Sequence, residues 1–420
     1  MKIAVIGGGA AGMMAAAAIH ETTANAEVFL IEKNASLGQK VILSGGGRCN
    51  VTTGFSDLRL VLDRYPRGGK FLSSAMYNFP PEQVCQWFEE HGVPLKTEED
   101  FRVFPKSNKG KDVVAVFEKI FTENGSTHPC SLLFHHEVQK IKKTKNGFQI
   151  HFKEHPSLLV DKVILTTGGQ AYRHTGSTGD GYAFAESLGH SITPLAPSLN
   201  SFVTKETWLK ELAGISLPKV TLRVKKIKFT SPILFTHHGL TGPAVFALSS
   251  LIAFEEYNSA HPLSLSLDLL SSTNQALFET EFKDELQENP KKMFKNTLAK
   301  WMPKSLAATL CALLTIDGNR NNNEIAKKNI QKTIERVKNL PLTLIDRGAG
   351  DEFVTAGGVT LSEVNPRTLE SRLTSGLYFA GEILNIDGFT GGYNLQAAWA
   401  TGRLAGQSAS GRMNPGSKNS

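Results

Sequence analysis

Apolar residues fall in short unbroken runs near both ends of the chain and in alternation through its middle, and the two patterns predict different architectures. Residues 3–6 (IAVI) have no polar interruption and predict a buried strand. Glycines at 7, 8 and 9 end the run, and the small-residue stretch 10–19 predicts a helix behind the turn. Residues 26–32 (AEVFLIE) predict a second buried strand. The order of apolar run, glycine turn and helix recurs at 162–169 with a helix over 180–188. It recurs again at 377–381, with an alanine-rich helix from about 391 to 405. Such repetition predicts an α/β fold with a parallel, Rossmann-like sheet.

The middle of the chain reads differently. Residues 131–141 and 147–152 predict a strand pair joined by the turn 144–147. Residues 198–204, 220–230 and 263–269 alternate apolar and polar with prolines between, as antiparallel strands of a barrel or sandwich do. Residues 275–340 read as charged helices. Ile330, Ile334 and Val337 recur there at helical spacing on one face, while Lys328, Lys332 and Arg336 line another. A chain of 420 residues exceeds one ordinary core, so two or three domains are expected.

The first glycine turn has the spacing GxGxxG. Gly7 allows the turn, Gly9 leaves room for a pyrophosphate at the backbone, and Gly12 lets the helix approach the strand. The N–H groups at the helix start then face the phosphates. Glu32, twenty residues beyond Gly12, stands where a carboxylate takes the ribose hydroxyls of an adenosine. The run GGGRCN at 45–50 has too much glycine for a helix or central strand and predicts a loop held against a ligand. Arg48 would offer its planar fork to phosphate or to a ring carbonyl. Cys49 is either a proton donor beside a reactive ring or a small apolar filler. His237, in the loop 235–243, either faces a substrate or is satisfied by backbone partners.

Composition narrows the class. Hydrophobic content of 40% and charged content of 20% are those of a soluble globular protein, and the apolar run near 244–254 is too short to span a bilayer. No basic leader precedes the first strand, and Cys49, Cys85, Cys130 and Cys311 form no CxxC pair. Free thiols in a reducing cytoplasm are therefore expected. The net charge of +7 is uneven: residues 191–345 hold 19 Lys and Arg against 13 Asp and Glu, leaving about +1 for the rest.

Six motifs carry a resemblance. They are SGGGRCNVT at 44–52, TTGG at 166–169, TGSTGDGY at 175–182, LFTHHGLTGP at 234–243, AGGVTLSEVNPRTLES at 356–371 and AGEILNIDGFTGGYNLQAAWATG at 380–402. With them the chain resembles the BaiN-like, or YhiN-like, family of FAD-dependent oxidoreductases, to about residue 406. The resemblance implies a Rossmann-like FAD-binding domain built from residues 1–190 and 351–408. It further implies an inserted β-barrel-like domain over 191–270 and 339–350, and a helical subdomain over 271–338. Residues 409–420 read as a disordered tail. Cofactor contacts are implied at Gly7, Gly9, Gly12, Glu32, Lys33, Ser44, Arg48, Cys49, Asn50, Val138, Thr167 and Gly168. Towards the end of the chain they are implied at Gly381, Glu382, Asp387, Gly392, Asn394 and Leu395. Thr166, Thr53, Arg173 and Asn385 depart from the family's usual residues, the last by removing an acid.

The implied chemistry is hydride transfer from NAD(P)H through FAD to an electron-poor double bond, with Cys49 or His237 supplying a proton. With one dinucleotide fingerprint, NAD(P)H is expected as a transient visitor. The resemblance points to a uridine of ribosomal RNA as substrate, and the basic middle, with Arg223, Lys225, Lys226 and Lys228, agrees with a phosphate contact. The alternatives are a small-molecule reductase acting on a steroid-like compound and a non-catalytic FAD-binding redox sensor.

Overall fold

The structure is a computed structural model that describes residues 1–22, 26–122, 130–348 and 353–411. The chain divides into two compact units, Met1–Pro197 with Phe353–Ser420, and Ser198–Glu352.

In the first unit, five strands among the described residues form a parallel sheet. Their order is Leu377–Phe379, Lys162–Leu165, Lys2–Ile6, Glu27–Ile31, Ser131–Leu133. Ile3, Ala4, Val5 and Ile6 are all buried, which explains the unbroken apolar run: helices cover both faces of a parallel sheet. The opening helix Ala10–Thr22 lies directly on the closing helix Tyr393–Ala409. A Cβ at Gly402 would stand 2.4 Å from the Ala11 carbonyl oxygen, and one at Gly406 would stand 2.3 Å from that of Ala15. These contacts step forward together by one turn, so the two helices run in the same direction. The closing helix starts about eight residues, or ~12 Å, ahead of the opening one.

Three strand expectations need correction. Residues 198–204 are not one strand: Ala196–Ser198 and Phe202–Thr204 belong to different sheets, with a break at Leu199, whose φ is 60°. Residues 131–141 are not one strand: Ser131–Leu133 closes an edge of the parallel sheet, and Val138–Thr144 begins an antiparallel sheet with Gly147–Phe152 and Leu158–Val160. The chain turns between them through His135, whose φ is 57°. Residues 220–230 likewise are two strands, Ser216–Val224 and Ile227–Phe235, turning through Lys225 at φ 52°. The closing helix also continues through Ala409, past its expected end, and residues 412–420 of the expected tail lie outside the described residues.

In the second unit, strands Phe202–Thr204, Gly239–Thr241, Ile227–Phe235, Ser216–Val224, Leu263–Asp268 and Leu340–Arg347 close into a barrel in that order. Helices Gln275–Glu288, Phe294–Leu298, Lys304–Leu313 and Lys327–Lys338 pack around Phe278, Phe282, Phe294 and Leu310. Ile334 and Val337 are fully buried and Ile330 partly so, while Lys328 and Lys332 are exposed. No helix among the described residues is long and apolar enough to cross a membrane.

Candidate functional site

The carboxyl ends of the parallel strands gather most of the residues singled out in the first unit. Gly7 turns at φ 108°, and a Cβ there would stand 2.6 Å from the Thr166 carbonyl oxygen. A Cβ at Gly12 would stand 1.9 Å from the Gly7 carbonyl oxygen. Both glycines are thus required by packing. Gly9 differs: a Cβ there would meet nothing within 4 Å, so its backbone borders open space at the start of the opening helix.

Glu32, just after the second strand, accepts hydrogen bonds from the Gly8 N–H through Oε2 and the Asn34 N–H through Oε1, each at 2.8 Å. Beyond it lies a groove of about 380 Å³ lined by Lys33, Asn34, His135, Glu137, Lys153 and Glu154, and Val138 follows directly. Lys33 is not open to a phosphate, because its Nζ donates to Asp180 Oδ2 at 2.7 Å and Thr178 Oγ1 at 2.6 Å. Burial disfavours the charged Asp180 carboxylate, but those hydrogen bonds outweigh it and hold the carboxyl below its usual range.

The glycine-rich loop follows a short helix, Gln39–Leu43, which Ser44 ends with its hydroxyl on the Val41 carbonyl. Gly45, Gly46 and Gly47 are consecutive left-handed residues, exposed, and Cβ atoms on the last two would meet nothing within 4 Å. Asn50 accepts the Val103 N–H at 3.2 Å. The Arg48 guanidinium lies 3.8 Å over the Phe104 ring and donates to Glu98 at 2.7 Å, so its fork is already engaged. Cys49 is fully buried at φ 60°, and burial pushes its thiol up to about 12. That environment suits a packed filler; a thiol that holds its proton so firmly is a poor acid.

Thr167 and Gly168 follow the end of strand Lys162–Leu165. The Thr167 hydroxyl oxygen is buried with no hydrogen-bond partner among the described residues and packs against Gly181, where a Cβ would stand 1.9 Å from it. Gly381 turns at φ 78° at the next strand's end, where a Cβ would stand 2.8 Å from that of Ala11. Glu382 accepts from Lys40 Nζ at 2.8 Å and from the Thr355 N–H at 2.9 Å. Asp387 is buried and gripped bidentately by Arg67, so its carboxylate serves as an internal clamp.

The closing helix is anchored by its own first residues. Gly392 turns at φ 89°, and a Cβ there would stand 2.2 Å from the Thr52 carbonyl oxygen. Asn394 both donates to the Gly388 carbonyl and accepts its N–H, each at 2.8 Å, and Leu395 is half-buried beside it. Gln396, unassigned from sequence, accepts from the Thr52 hydroxyl at 2.6 Å and donates to the Phe79 carbonyl at 2.9 Å. Trp399 donates to the Val51 carbonyl. The helix start is thus fastened to the segment that ends the glycine-rich loop. Lys40, Arg67 and Gln396 were missed; Gln396 lies inside a quoted motif, while nothing local marks Lys40 or Arg67. His237 belongs to the second unit, exposed in the turn between Ile227–Phe235 and Gly239–Thr241.

Open backbone at Gly9, Gly46 and Gly47 and two helix starts facing one way fit a dinucleotide that carries a redox ring. These features define an FAD-dependent oxidoreductase of Rossmann type. Over residues 1–408 the chain matches the family described as HI0933-like protein Rossmann domain, and it belongs to that family. It is 31% identical over 416 residues to a 3-dehydro-bile acid delta(4,6)-reductase of Clostridium scindens, covering 98% of this chain and 99% of that protein. It is 30% identical over 408 residues to a ribosomal RNA dihydrouridine synthase of Escherichia coli, covering 94% and 95%. A quinol-fumarate reductase structure superposes with a TM-score of 0.51 at 14% identity, covering all of this chain and 72% of that one, which shows the fold alone.

Proposed function

We propose that this flavoprotein reduces an electron-poor carbon–carbon double bond at the expense of NAD(P)H, and that its substrate is a uridine of ribosomal RNA. Bound FAD supplies hydride acceptance and donation. The chain's part is to bind, orient and polarise. The opening helix start and Gly9 would hold the pyrophosphate, and Glu32 would take the adenosine ribose. The N–H groups at the start of the closing helix would stabilise the negative charge that a bound flavin ring gains on reduction. The helix's fastening through Asn394 and Gln396 keeps those donors in place before reaction. Cys49 keeps its proton and so stands outside the proton transfer.

The observation that carries the RNA reading is the hairpin in the second unit. Arg223 and Lys228 stand directly opposite each other across it, and Arg223, Lys225, Lys226 and Lys228 are all exposed. Like charges facing across a strand pair weaken it, a cost that a polyanion would relieve. The similarity to a ribosomal RNA dihydrouridine synthase agrees, as does the cytoplasmic setting expected from the scattered thiols. Comparison of dihydrouridine in ribosomal RNA from cells with and without the protein tests this; unchanged RNA rejects it. The similarity to the bile acid reductase favours a second reading, a small planar enone as substrate. Anaerobic mixing with NADH or NADPH tests what both share: flavin absorbance that does not bleach removes reduction by nicotinamide.

A further inference from the structure

The exposed glycines 45–47 are bordered by a strip of the first unit that no motif had marked. At one end Phe101, 46% exposed, stacks on Phe55 with ring centroids 4.3 Å apart. Phe101 holds φ 64°, a left-handed conformation that a bulky residue adopts only under constraint. Strand Arg102–Pro105 leads away from it, carrying Phe104 with the Arg48 guanidinium on its face. At the far end, the Gly110 N–H donates to the Gly47 carbonyl at 2.9 Å, which seats the segment 106–111 against the glycine loop. Lys106, Lys109 and Lys111 are exposed there, and none has an ion pair among the described residues.

The charges along the strip are sorted. Glu98 and Asp100 are taken up by Arg48 and Arg102, at 2.7 Å and 2.6 Å, whereas the three lysines keep their charge beside the start of helix Gly110–Thr122. Asp112 in that helix's first turn opposes them, and Glu99 at the aromatic end is exposed with no ion pair among the described residues. One exposed ring, Phe101 backed by the half-buried Phe55, at one end and unpaired lysines at the other are the two parts of a surface for single-stranded nucleic acid. Bases stack on the rings and on guanidinium planes, while phosphates meet the ammonium groups. The geometry points to this strip, Phe55 and Phe101 through Lys111, as the binding track for the single-stranded RNA that flanks the reacting uridine. The inference rests on the RNA reading above, but places a contact on the flavin-binding unit instead of the basic barrel hairpin.

The test uses the FAD-loaded full chain and a short fluorescent single-stranded RNA containing uridines, with affinity followed by anisotropy across a salt series. Replacing Lys106, Lys109 and Lys111 together by alanine lowers the slope of log affinity against log salt by about 2, near 0.7 per lost phosphate contact. Phe101→Ala weakens binding about ten-fold at unchanged slope. Phe101→Asn, which tolerates the left-handed backbone, gives the same result if the alanine variant folds poorly. Full affinity and full slope in all variants overturn the track, and so does wild-type protein that does not bind the RNA. Complementation separates this from the function itself. If cells lacking the protein lose dihydrouridine and the triple lysine variant restores it fully, the track is wrong and the RNA reading stands. If dihydrouridine does not depend on the protein, the RNA reading falls.

Discussion

Arg67 grips Asp387 through two N–H donors, joining the segment before helix Gly69–Asn78 to the loop that precedes the closing helix. The carboxylate is fully buried and the guanidinium largely so. A buried pair of this kind adds little net stability against an apolar pair, but breaking one side strands a charge. Arg67→Met is therefore expected to cost about 3–5 kcal/mol. The midpoint of thermal unfolding should fall on the order of 10 °C. The double variant Arg67→Met with Asp387→Leu should recover part of the loss, as calorimetry of both proteins would show.

How far the sequence foretold this depends on whether a feature is local. The buried strand of residues 3–6 declares itself because both faces of a parallel sheet exclude polar side chains, and Gly7 and Gly12 because no Cβ fits there. The turns at His135 and Lys225 escaped notice because each takes a left-handed φ without glycine or asparagine to announce it. Arg48 has the right chemistry for a phosphate but the wrong neighbours, Glu98 and Phe104, which only folding supplies. The Arg67–Asp387 clamp spans 320 residues and has no local pattern at all.

Gly402 in the closing helix faces the Ala11 carbonyl, and a methyl group would enter within 2.4 Å of it. Alanine ordinarily strengthens a helix by about 1 kcal/mol over glycine. Here it must separate the two helices, and overpacking of about 1–3 kcal/mol outweighs that gain. The Gly402→Ala protein should unfold at lower temperature and lose FAD on dialysis more readily than the native chain, read by the ratio of flavin to protein absorbance.

Glu32 is held in place by two backbone N–H groups, so its carboxylate is oriented before any ribose arrives. Glutamine keeps the shape but turns one acceptor into a donor that faces a backbone N–H. Loss of a charge-assisted hydrogen bond is worth about 1.5–3 kcal/mol. Fluorescence titration of apoprotein with FAD should show Glu32→Gln binding about ten-fold or more weakly.

His190 is buried between Glu363, 3.2 Å from its Nδ1, and the Ser371 hydroxyl, 2.8 Å from its Nε2, with Phe379 at its edge. Burial pushes the imidazole down despite the pull of Glu363. Burial also opposes the charged form of Glu363, but hydrogen bonds, led by that from the Ser191 N–H, hold its carboxyl low. The unfolded chain takes up protons more readily at both groups. Their stabilisation is present at neutral pH and is lost as acidification passes about pH 6.5 for the histidine, then the carboxylate range. Thermal unfolding followed from pH 7 to pH 5 should show a steep decline for the native protein and a shallower one for His190→Gln.

Cys49 separates a chemical role from a packing role. Its thiol is fully buried and pushed up to about 12, so at neutral pH it neither ionises nor yields a proton readily. Cys85, partly exposed, is pushed up to about 11 by burial and by the nearby Glu89 and Glu82. Native protein at pH 8 should therefore resist alkylation at Cys49, with mass spectrometry finding modification there only after denaturation. Cys49→Ala removes one sulfur from a tight site at about 1–2 kcal/mol of stability. Reduction of the flavin by NAD(P)H and its reoxidation by substrate should stay within about two-fold of native rates, because a proton donor normally contributes about a hundred-fold or more. A loss of that size on removing the thiol would return Cys49 to the reaction.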